Sequence, residues 1–310
     1  MTEKISRRGL FGVSAGAAAV LAGAQPAAAA PRNTGFSLRW WGNNSWEIRL
    51  GEKRVLIDPW LTRFKTGTYR PEGADPDTLL EVNRKLIDRY VDSGELRADH
   101  ILVTHGHYDH LTDVPYLAKK TGATVLGTET HLSLMKALGA PEDQLAVASG
   151  GEYLTFDGYT IRVVRSLHSA VGPRAQVPFP GSRTLSCRDV PKRIKDLVEG
   201  GTLSYQVSGG GLSVLNFGGS NYVESELAGL RPDVLLMPAG GGKVFDYASR
   251  LLRTLGNPAY VVPTHWDDFD FPLDEPAKDY GGLTPLREAV AKASPSSRFV
   301  VVDHLQTFTP

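Results

Sequence analysis

The sequence predicts an α/β (α+β) fold made of antiparallel hairpins and of strands that alternate with helices. Two consecutive hairpin patterns follow residue 35, and a second hairpin series lies between residues 202 and 217. Apolar runs of strand length, many of them followed by segments with helical spacing, occupy most of the remainder. Strand pairs mixed with strand–helix units indicate sheets that are covered by helices.

The composition is that of an ordinary globular protein, and it excludes several classes of function. Of the 310 residues, 41% are hydrophobic and 22% are charged, and the 33 glycines and 20 prolines indicate many turns rather than a helical bundle. The formal net charge of +0 gives no electrostatic basis for binding nucleic acid or an anionic membrane surface. Because Cys187 is the one cysteine, the chain cannot form an intrachain disulfide.

The first third of the chain contains the opening sheet and an insertion. Alternating apolar positions predict three strands with glycine-containing turns between them, at residues 36–41, 45–50 and 53–58. The insertion at 62–98 begins irregularly. Asp75 and Pro76 then have the pattern of a helix N-terminus, and a buried helical face is predicted to continue to Tyr90.

Strands and helices alternate after the insertion. The predicted strands are 101–103, 124–126, 159–167, 202–207, 212–217, 233–237, 259–263, 298–303 and 305–308. The predicted helices are 112–120, 129–138, 244–255 and 285–292. The stretch 170–189 has no periodicity, and we expect a long loop that forms a lid or a pocket wall.

A cluster of metal-ligating residue types follows the apolar strand 101–103. Three histidines and one aspartate fall within six positions, namely His105, His107, Asp109 and His110. Side chains so close in sequence cannot all point one way from a helix or a strand, but a tight loop can turn them toward one point. Imidazole nitrogen and carboxylate oxygen are ligands that Zn²⁺ favours. The alternative is a polar surface turn that happens to contain histidines.

The run His105-Gly106-His107-Tyr108-Asp109-His110 resembles the HxHxDH signature of the metallo-β-lactamase superfamily, which also follows a hydrophobic strand. The resemblance implies a four-layer αββα sandwich, with two facing mixed sheets and helices outside, for residues 31–310. It also implies that His168 and His265, each just past a predicted strand, are the third and the last metal histidines of the family. The run 38–61 is similar to one branch of the superfamily, the ascorbate-6-phosphate lactonases and the N-acylphosphatidylethanolamine phospholipases D.

The resemblance divides the metal ligands into two sets of three side chains. The first set is His105, His107 and His168, and the second set is Asp109, His110 and His265. Most of the superfamily carries a Gly-Asp pair whose aspartate bridges two metals, whereas this chain has Gly219 at the corresponding position. One subclass lacks that aspartate and uses the same six ligands. The resemblance therefore implies two Zn²⁺ ions per chain, with the second bound more weakly.

A zinc site of this kind predicts a hydrolase that acts on a small molecule. Bound Zn²⁺ lowers the pKa of water from ~15.7 to ~7, and the metal-bound hydroxide is expected to attack an ester, a lactone or a phosphodiester. Asp109 is the predicted catalytic residue, because it would orient the nucleophile as well as bind metal. Ser220, Asn221 and Phe179 are candidates for substrate contact. The alternatives are a metal-binding member of the fold without turnover and an iron-dependent oxidoreductase, since some relatives bind iron.

Several other reactive side chains have two interpretations. Asp58 either accepts a hydrogen bond from a metal-ligating imidazole or caps the turn before Pro59. Arg63, Arg70 and Arg174 either meet an anionic substrate or are solvated. We interpret the remaining histidines and the cysteine as structural residues, namely His100, His131, His304 and Cys187.

The amino-terminal segment predicts export. Arg7 and Arg8 form a twin-arginine pattern, an apolar run continues to about Ala24, and small residues then offer a cleavage site near Ala30. Residues 1–30 are therefore predicted to be a signal peptide that engages the twin-arginine export machinery. The run is too short and too rich in alanine and glycine for a membrane anchor. We expect a periplasmic or extracellular protein.

Overall fold

The fold is a four-layer αββα sandwich. The computed structural model describes residues 35–240 and 243–310, so the predicted signal peptide at 1–30 lies outside the described residues. Within them, two seven-stranded sheets face each other and helices cover their outer faces. The predicted α/β (α+β) architecture is confirmed.

Each sheet is mixed, with antiparallel pairs at one side and parallel pairs at the other. In chain order the strands are β1 Phe36–Trp40, β2 Trp46–Leu50, β3 Lys53–Ile57, β4 His100–Leu102, β5 Thr124–Gly127, β6 Leu145–Val147, β7 Tyr153–Phe156, β8 Tyr159–Ser166, β9 Thr202–Gly209, β10 Leu212–Phe217, β11 Val234–Pro238, β12 Tyr260–Thr264, β13 Arg298–Phe299 and β14 Thr307–Phe308. The first sheet has the order β14-β1-β2-β3-β4-β5-β6, and the second has the order β13-β12-β11-β10-β9-β8-β7.

The helices pack on the outer face of each sheet. They are α1 Arg84–Asp92, α2 Tyr108–Leu111, α3 Val114–Thr121, α4 Glu129–Ala137, α5 Glu224–Leu227, α6 Tyr247–Thr254 and α7 Leu283–Ala293. The helix of the insertion begins later than its sequence pattern predicts, because Asn83 caps it through a bond from the N–H of Leu86. The preceding residues instead bond across to another loop, with the N–H of Leu80 donating to the carbonyl of Lys192.

Two clusters of buried apolar side chains hold the sandwich together. Leu102 faces the second sheet and lies in the layer between the sheets, whereas its neighbour Ile101 lies in the layer beneath helices α1, α3 and α4. Successive side chains of a strand point to opposite faces, so a strand buried on both faces is apolar at consecutive positions. This explains why the run before the histidine cluster is continuous rather than alternating.

The polar edge of the sandwich lies where parallel strands end. Strands β3, β4 and β5 run parallel in the first sheet, and β10, β11 and β12 run parallel in the second. Their carboxyl ends therefore lie along a common edge of each sheet, as in other α/β folds whose sites form at strand ends. In the described part of the chain, no helix has the length and apolar character needed to cross a bilayer.

Candidate metal centre

The loop after β4 needs a glycine because another loop approaches it closely. A Cβ at Gly106 would lie 2.2 Å from the carbonyl oxygen of Val198. The N–H of Gly106 donates to the carbonyl of Glu199, at 2.8 Å. The close contact lets the chain turn from β4 into α2, whose N-cap is His107. The residues of the HxHxDH run thus project from a loop and from the first turn of a helix.

The six predicted metal ligands meet in two groups of three. In each group the three ligand atoms lie within 4.8 Å of one another. The first group is His105, His107 and His168, and the second group is Asp109, His110 and His265. The groups adjoin, since the ring centroids of His105 and His110 are 3.8 Å apart. The structure therefore brings together residues from the ends of β4, β8 and β12.

Each imidazole of the first group has one ring nitrogen occupied by an outer partner. The pairs are His105 Nδ1 with Thr104 Oγ1 at 3.1 Å, His107 Nε2 with the Pro178 carbonyl at 2.9 Å, and His168 Nδ1 with the Ser169 carbonyl at 2.7 Å. Such partners set the tautomer and the ring orientation of metal-ligating histidines. The opposite nitrogen of each ring would then be the one to bind a shared metal ion.

The electrostatics of the first group favour neutral imidazoles. Burial lowers the pKa of His105 well below its usual value and lowers the pKa of His107 to about 3. Burial also lowers the pKa of His168, although the Ser169 carbonyl opposes the shift. Metal binding requires an unprotonated nitrogen, so this group is ready for a cation at neutral pH.

The second group is centred on the carboxylate of Asp109. Its Oδ2 lies 3.2 Å from Nε2 of His110 and 3.2 Å from Nε2 of His265. Asn43 reaches the same residue from the first hairpin, with Nδ2 donating to the Asp109 carbonyl at 2.7 Å and to Oδ2 at 3.2 Å. Although burial alone would raise it, the pKa of Asp109 is lowered well below its usual value by His110.

Asp58 supports the second group from behind. Its Oδ2 lies 2.6 Å from Nδ1 of His110 and accepts a bond from Asn44 Nδ2 at 2.7 Å, while its Oδ1 accepts a bond from Thr104 N at 2.7 Å. Of the two interpretations of Asp58, the structure shows the hydrogen bond to a ligand imidazole. Burial alone would lower the pKa of His110, but Asp109 and then Asp58 outweigh it and raise the pKa to about 10.

Both groups open into one cavity of about 750 Å³. That volume is typical of small-molecule sites. Aromatic side chains form much of its wall, namely Tyr69, Phe179, Phe269 and Tyr280. Phe179 stands edge-on to the ring of His107, with the ring centroids 5.9 Å apart. The loop at 170–189 thus forms part of the pocket wall, and its Pro178 carbonyl is a hydrogen-bond partner of His107.

The candidate substrate contacts divide between the cavity and its surroundings. Ser220 and Phe179 line the cavity. Asn221 does not: its amide instead donates to the His168 carbonyl at 3.3 Å and accepts from the N–H of Tyr222 at 2.9 Å. The position of Asn221 therefore does not support the expected contact with substrate. Its side chain instead stabilises the loop that carries His168.

Gly219 lines the cavity, and a neighbouring serine fills the space beside it. A Cβ at Gly219 would lie 2.9 Å from the backbone nitrogen of Ser169 and 3.0 Å from its Oγ. Ser169 Oγ in turn accepts bonds from Ser220 N at 2.7 Å and from Ser220 Oγ at 3.0 Å. A pair of hydroxyls, those of Ser169 and Ser220, therefore lies beside Gly219 in the wall of the cavity.

The residues interpreted as structural have protein partners away from the cavity. His100 pairs with the Tyr159 hydroxyl at 2.6 Å, His131 with the Glu199 carbonyl at 3.1 Å, and His304 with Asp267 at 2.9 Å. Cys187 is half-buried beside an arginine.

Arg63 differs from both of its interpretations, because it is neither solvated nor turned toward the cavity. Its Nη1 lies 2.6 Å from Asp267 Oδ2 in a buried ion pair, and Nε donates to the Phe271 carbonyl. Arg70 and Arg174 are exposed and do not line the cavity.

Sequence reasoning missed several residues of the site, among them Asn43, Tyr69, Ser169 and Pro178. Adjacency to His168 is a local signal that points to Ser169. The other three come from a hairpin turn, an irregular insertion and a proline-rich loop, and nothing near them in sequence distinguishes them from ordinary turn residues.

The donor set fits a divalent transition metal. Five imidazole nitrogens and one carboxylate oxygen, most of the rings held by an outer partner, are the ligands that zinc and related metals bind. Together, the αββα sandwich and this site define a metal-dependent hydrolase of the β-lactamase fold. Residues 37–265 match the family model described as the beta-lactamase superfamily domain, so the chain belongs to that family.

The chain is also similar to a curated relative and to two solved structures. It is 29% identical over 280 residues to a UPF0173 metal-dependent hydrolase of Myxococcus xanthus, which covers 87% of this chain and 84% of the relative. Igni18, a metallo hydrolase of Ignicoccus hospitalis, superposes with a TM-score of 0.54 at 17% identity, covering 88% of this chain and 97% of its own. CmlA, a diiron β-hydroxylase of Streptomyces venezuelae, gives 0.55 at 15% identity, covering 89% and 54%. At these identities the two structures share the fold alone.

Proposed function

We propose that this protein is an exported, zinc-dependent hydrolase of a small-molecule ester, lactone or phosphodiester. The observation that carries the proposal is the pair of adjoining three-ligand groups in the wall of one cavity. His105, His107 and His168 would hold the first zinc, and Asp109, His110 and His265 the second. The likeness of residues 38–61 to lactonases and phospholipases D favours a lactone or a phosphodiester within this class.

The metal would supply Lewis acidity and lower the pKa of a coordinated water to about 7. The chain supplies the remaining functions. Asp109 stays ionised within the second group, where its carboxylate would accept a hydrogen bond from a water molecule and orient it toward the substrate. The aromatic wall keeps bulk water from one side of the substrate, which strengthens electrostatic interactions in the cavity.

The two serines supply a neutral hydrogen-bond donor. Ser169 Oγ already accepts two hydrogen bonds from Ser220, so both of its lone pairs are occupied. Its own proton is therefore available to an oxygen of the substrate. Donors of this kind stabilise the negative charge that develops on the oxygen under attack.

Metal analysis combined with a substrate panel tests the function. We expect the purified protein to carry about two zinc ions per chain and to hydrolyse at least one member of a panel of esters, lactones, phosphodiesters, thioesters and β-lactams. His107→Ala should lose both the first metal and the activity. His100→Ala is the matched control, because His100 begins the strand that leads to the motif but does not line the cavity.

The same experiment separates the alternatives. Two bound zinc ions without turnover on any class would favour a metal-binding protein over a hydrolase. Iron as the native metal, with no hydrolysis, would favour an oxidoreductase. Full activity in His107→Ala would refute the assignment of the site.

Export is a separate part of the proposal and rests on Arg7 and Arg8 together with the apolar run behind them. Replacing both arginines with lysine should retain the protein in the cytoplasm while leaving its metal content unchanged. Cell fractionation with antibody detection measures the outcome. Equal export of the variant and the natural chain would exclude the twin-arginine route.

A further inference from the structure

We propose that Tyr69 is a positioning residue for His265 and sets the affinity of the second metal group, formed by Asp109, His110 and His265. The inference rests on the proposed function, because it takes these side chains to hold a metal. The hydroxyl of Tyr69 lies 3.2 Å from Nδ1 of His265. The opposite nitrogen, Nε2, faces Asp109 at 3.2 Å. Tyr69 thus contacts the one ring nitrogen that a metal bound at Nε2 leaves free.

His265 is the member of its group that most needs support. Its side chain is 22% exposed, whereas those of His110 and Asp109 are 1% and 9% exposed. Its backbone has a φ of 53°, a left-handed conformation that is unfavourable for a residue with a Cβ. A bond from its N–H to the Asn43 carbonyl, at 2.9 Å, anchors the backbone. A backbone bond does not fix the rotation of the imidazole, so besides Asp109 at Nε2 the ring needs a side-chain partner at Nδ1.

Tyr69 is held rigidly enough to serve as that partner. Its ring stacks on Tyr280, with centroids 4.1 Å apart and planes 9° from parallel, and it meets Phe269 edge-on at 5.0 Å. A hydrogen-bond partner locked by packing orients a ligand at little additional cost in conformational entropy. With Nε2 directed at a metal, Nδ1–H of His265 donates to the phenol oxygen of Tyr69.

The insertion at 62–98 therefore completes the second metal group rather than only covering it. Asp109 and His110 have partners from the first hairpin and from the end of β3, in Asn43 and Asp58. His265 takes its partner from the insertion. Loss of the Tyr69 hydroxyl should lower the metal affinity of the second group. The affinity of the first group should not change, because in the described residues Tyr69 makes no hydrogen bond to it.

The test compares Tyr69→Phe with Tyr280→Phe. Both variants remove one hydroxyl from the same aromatic stack and keep both rings, but only the first removes a partner of His265. Zinc titration of the metal-free protein against a chromogenic chelator gives both affinities without any substrate. We expect Tyr69→Phe to weaken the second site about 10- to 100-fold and to leave the first unchanged. Tyr280→Phe should bind both ions as the natural chain does.

Cobalt substitution adds a readout that does not depend on affinity. The visible absorption of Co²⁺ in the second site should change in Tyr69→Phe and not in Tyr280→Phe, because the ligand ring is free to turn. Equal zinc affinities and equal cobalt spectra in Tyr69→Phe and the natural chain would overturn the inference. Binding of a single ion by the natural chain would overturn it as well. Two tightly bound ions without hydrolysis would instead refute the proposed function and leave the role of Tyr69 standing.

Discussion

Oδ2 of Asp58 and Nδ1 of His110 lie 2.6 Å apart in a buried contact between the end of β3 and helix α2. The contact fixes which nitrogen of His110 faces Asp109, because Nδ1 is engaged and Nε2 is left free. It also places a second negative charge beside the second metal group, which has one carboxylate of its own. The second group therefore has one carboxylate within it and another directly behind His110.

Asp58→Asn should weaken zinc binding at the second group about 10- to 100-fold, because the outer partner of a ligand histidine tunes its basicity and orientation. Chelator competition measures the affinity. Asp99→Asn is the control, since Asp99 accepts the N–H of Arg54 at the opposite end of the same strands and has no contact with the metal groups. Zinc binding by Asp58→Asn equal to that of the natural chain would contradict the prediction.

Metal binding at the second group should release a proton that binding at the first group does not. His110 has a pKa raised to about 10 and is protonated at pH 6, whereas burial lowers the pKa of His107 to about 3 and keeps it neutral. The metal ion must displace the proton of His110. Below the pKa of His110, the affinity of the second group for metal should therefore increase about tenfold for each unit by which the pH is raised.

Calorimetric titration at pH 6 in two buffers of different ionisation heat counts the released protons. At that pH a coordinated water, with a pKa of about 7, stays mostly protonated and contributes little. We expect at least one proton for the second ion, from His110, and fewer for the first. Equal proton release at both groups would contradict the prediction that His110 is protonated and His107 is neutral in the metal-free protein.

The buried pair of Arg63 and Asp267 should be essential for stability. Asp267→Asn leaves the Arg63 guanidinium uncompensated and should cost about 3–5 kcal/mol at pH 7. Burial alone would raise the pKa of Asp267, but Arg63 and His304 lower it. The contribution of the carboxylate is therefore fully present above about pH 4, its usual range in unfolded chains, and declines as the pH falls toward the lowered pKa.

Chemical denaturation at pH 7 and at pH 3 measures this difference between natural chain and variant. The gap in unfolding free energy should shrink at the lower pH. Asp77→Asn removes the carboxylate of exposed ion pairs with Arg193 and Lys195 and should cost little, because solvent screens exposed ion pairs. A loss for Asp267→Asn no greater than that of this control would show that the buried pair is dispensable.

Substitutions at Gly219 should separate steric from electrostatic effects. Any Cβ there meets the backbone of Ser169, so Gly219→Ala should displace the loop of His168, weaken the first metal group and destabilise the fold by about 1–3 kcal/mol. Gly219→Asp carries the same clash and adds a carboxylate, so it should bind the second zinc more tightly than Gly219→Ala. Metal titration of both variants measures this, and identical second-site affinities would show that residue 219 does not point toward the metals.

Much of the ligand set was predictable because its signals are local. His105 to His110 lie together in sequence, and His168 and His265 each follow a strand that was recognisable from its apolar residues. The carboxyl ends of parallel strands lie at the same edge of a sheet in such folds. A histidine that directly follows a predicted strand could therefore be expected at that edge.

The supporting residues were not predictable, because their partners are distant in sequence. Tyr69 and His265 are separated by 196 positions, and Arg63 and Asp267 by 204. Arg63 was expected to be solvated or at the substrate, since no periodicity reveals that one arginine will be buried with an aspartate of another loop. The helix start expected at Asp75 failed for the same reason, because the segment after it bonds to residues near 192 instead.

Each ligand group draws on both halves of the sandwich. In the first group, His105 and His107 follow β4 of the first sheet, and His168 follows β8 of the second sheet. In the second group, Asp109 and His110 also come from the loop and helix after β4, and His265 follows β12 of the second sheet. A folding intermediate whose halves have not yet docked offers either ion no more than two side chains. Only the fully folded chain can therefore bind metal tightly. The number of metal ions bound per chain in a preparation thus measures the fraction of chains that have folded completely.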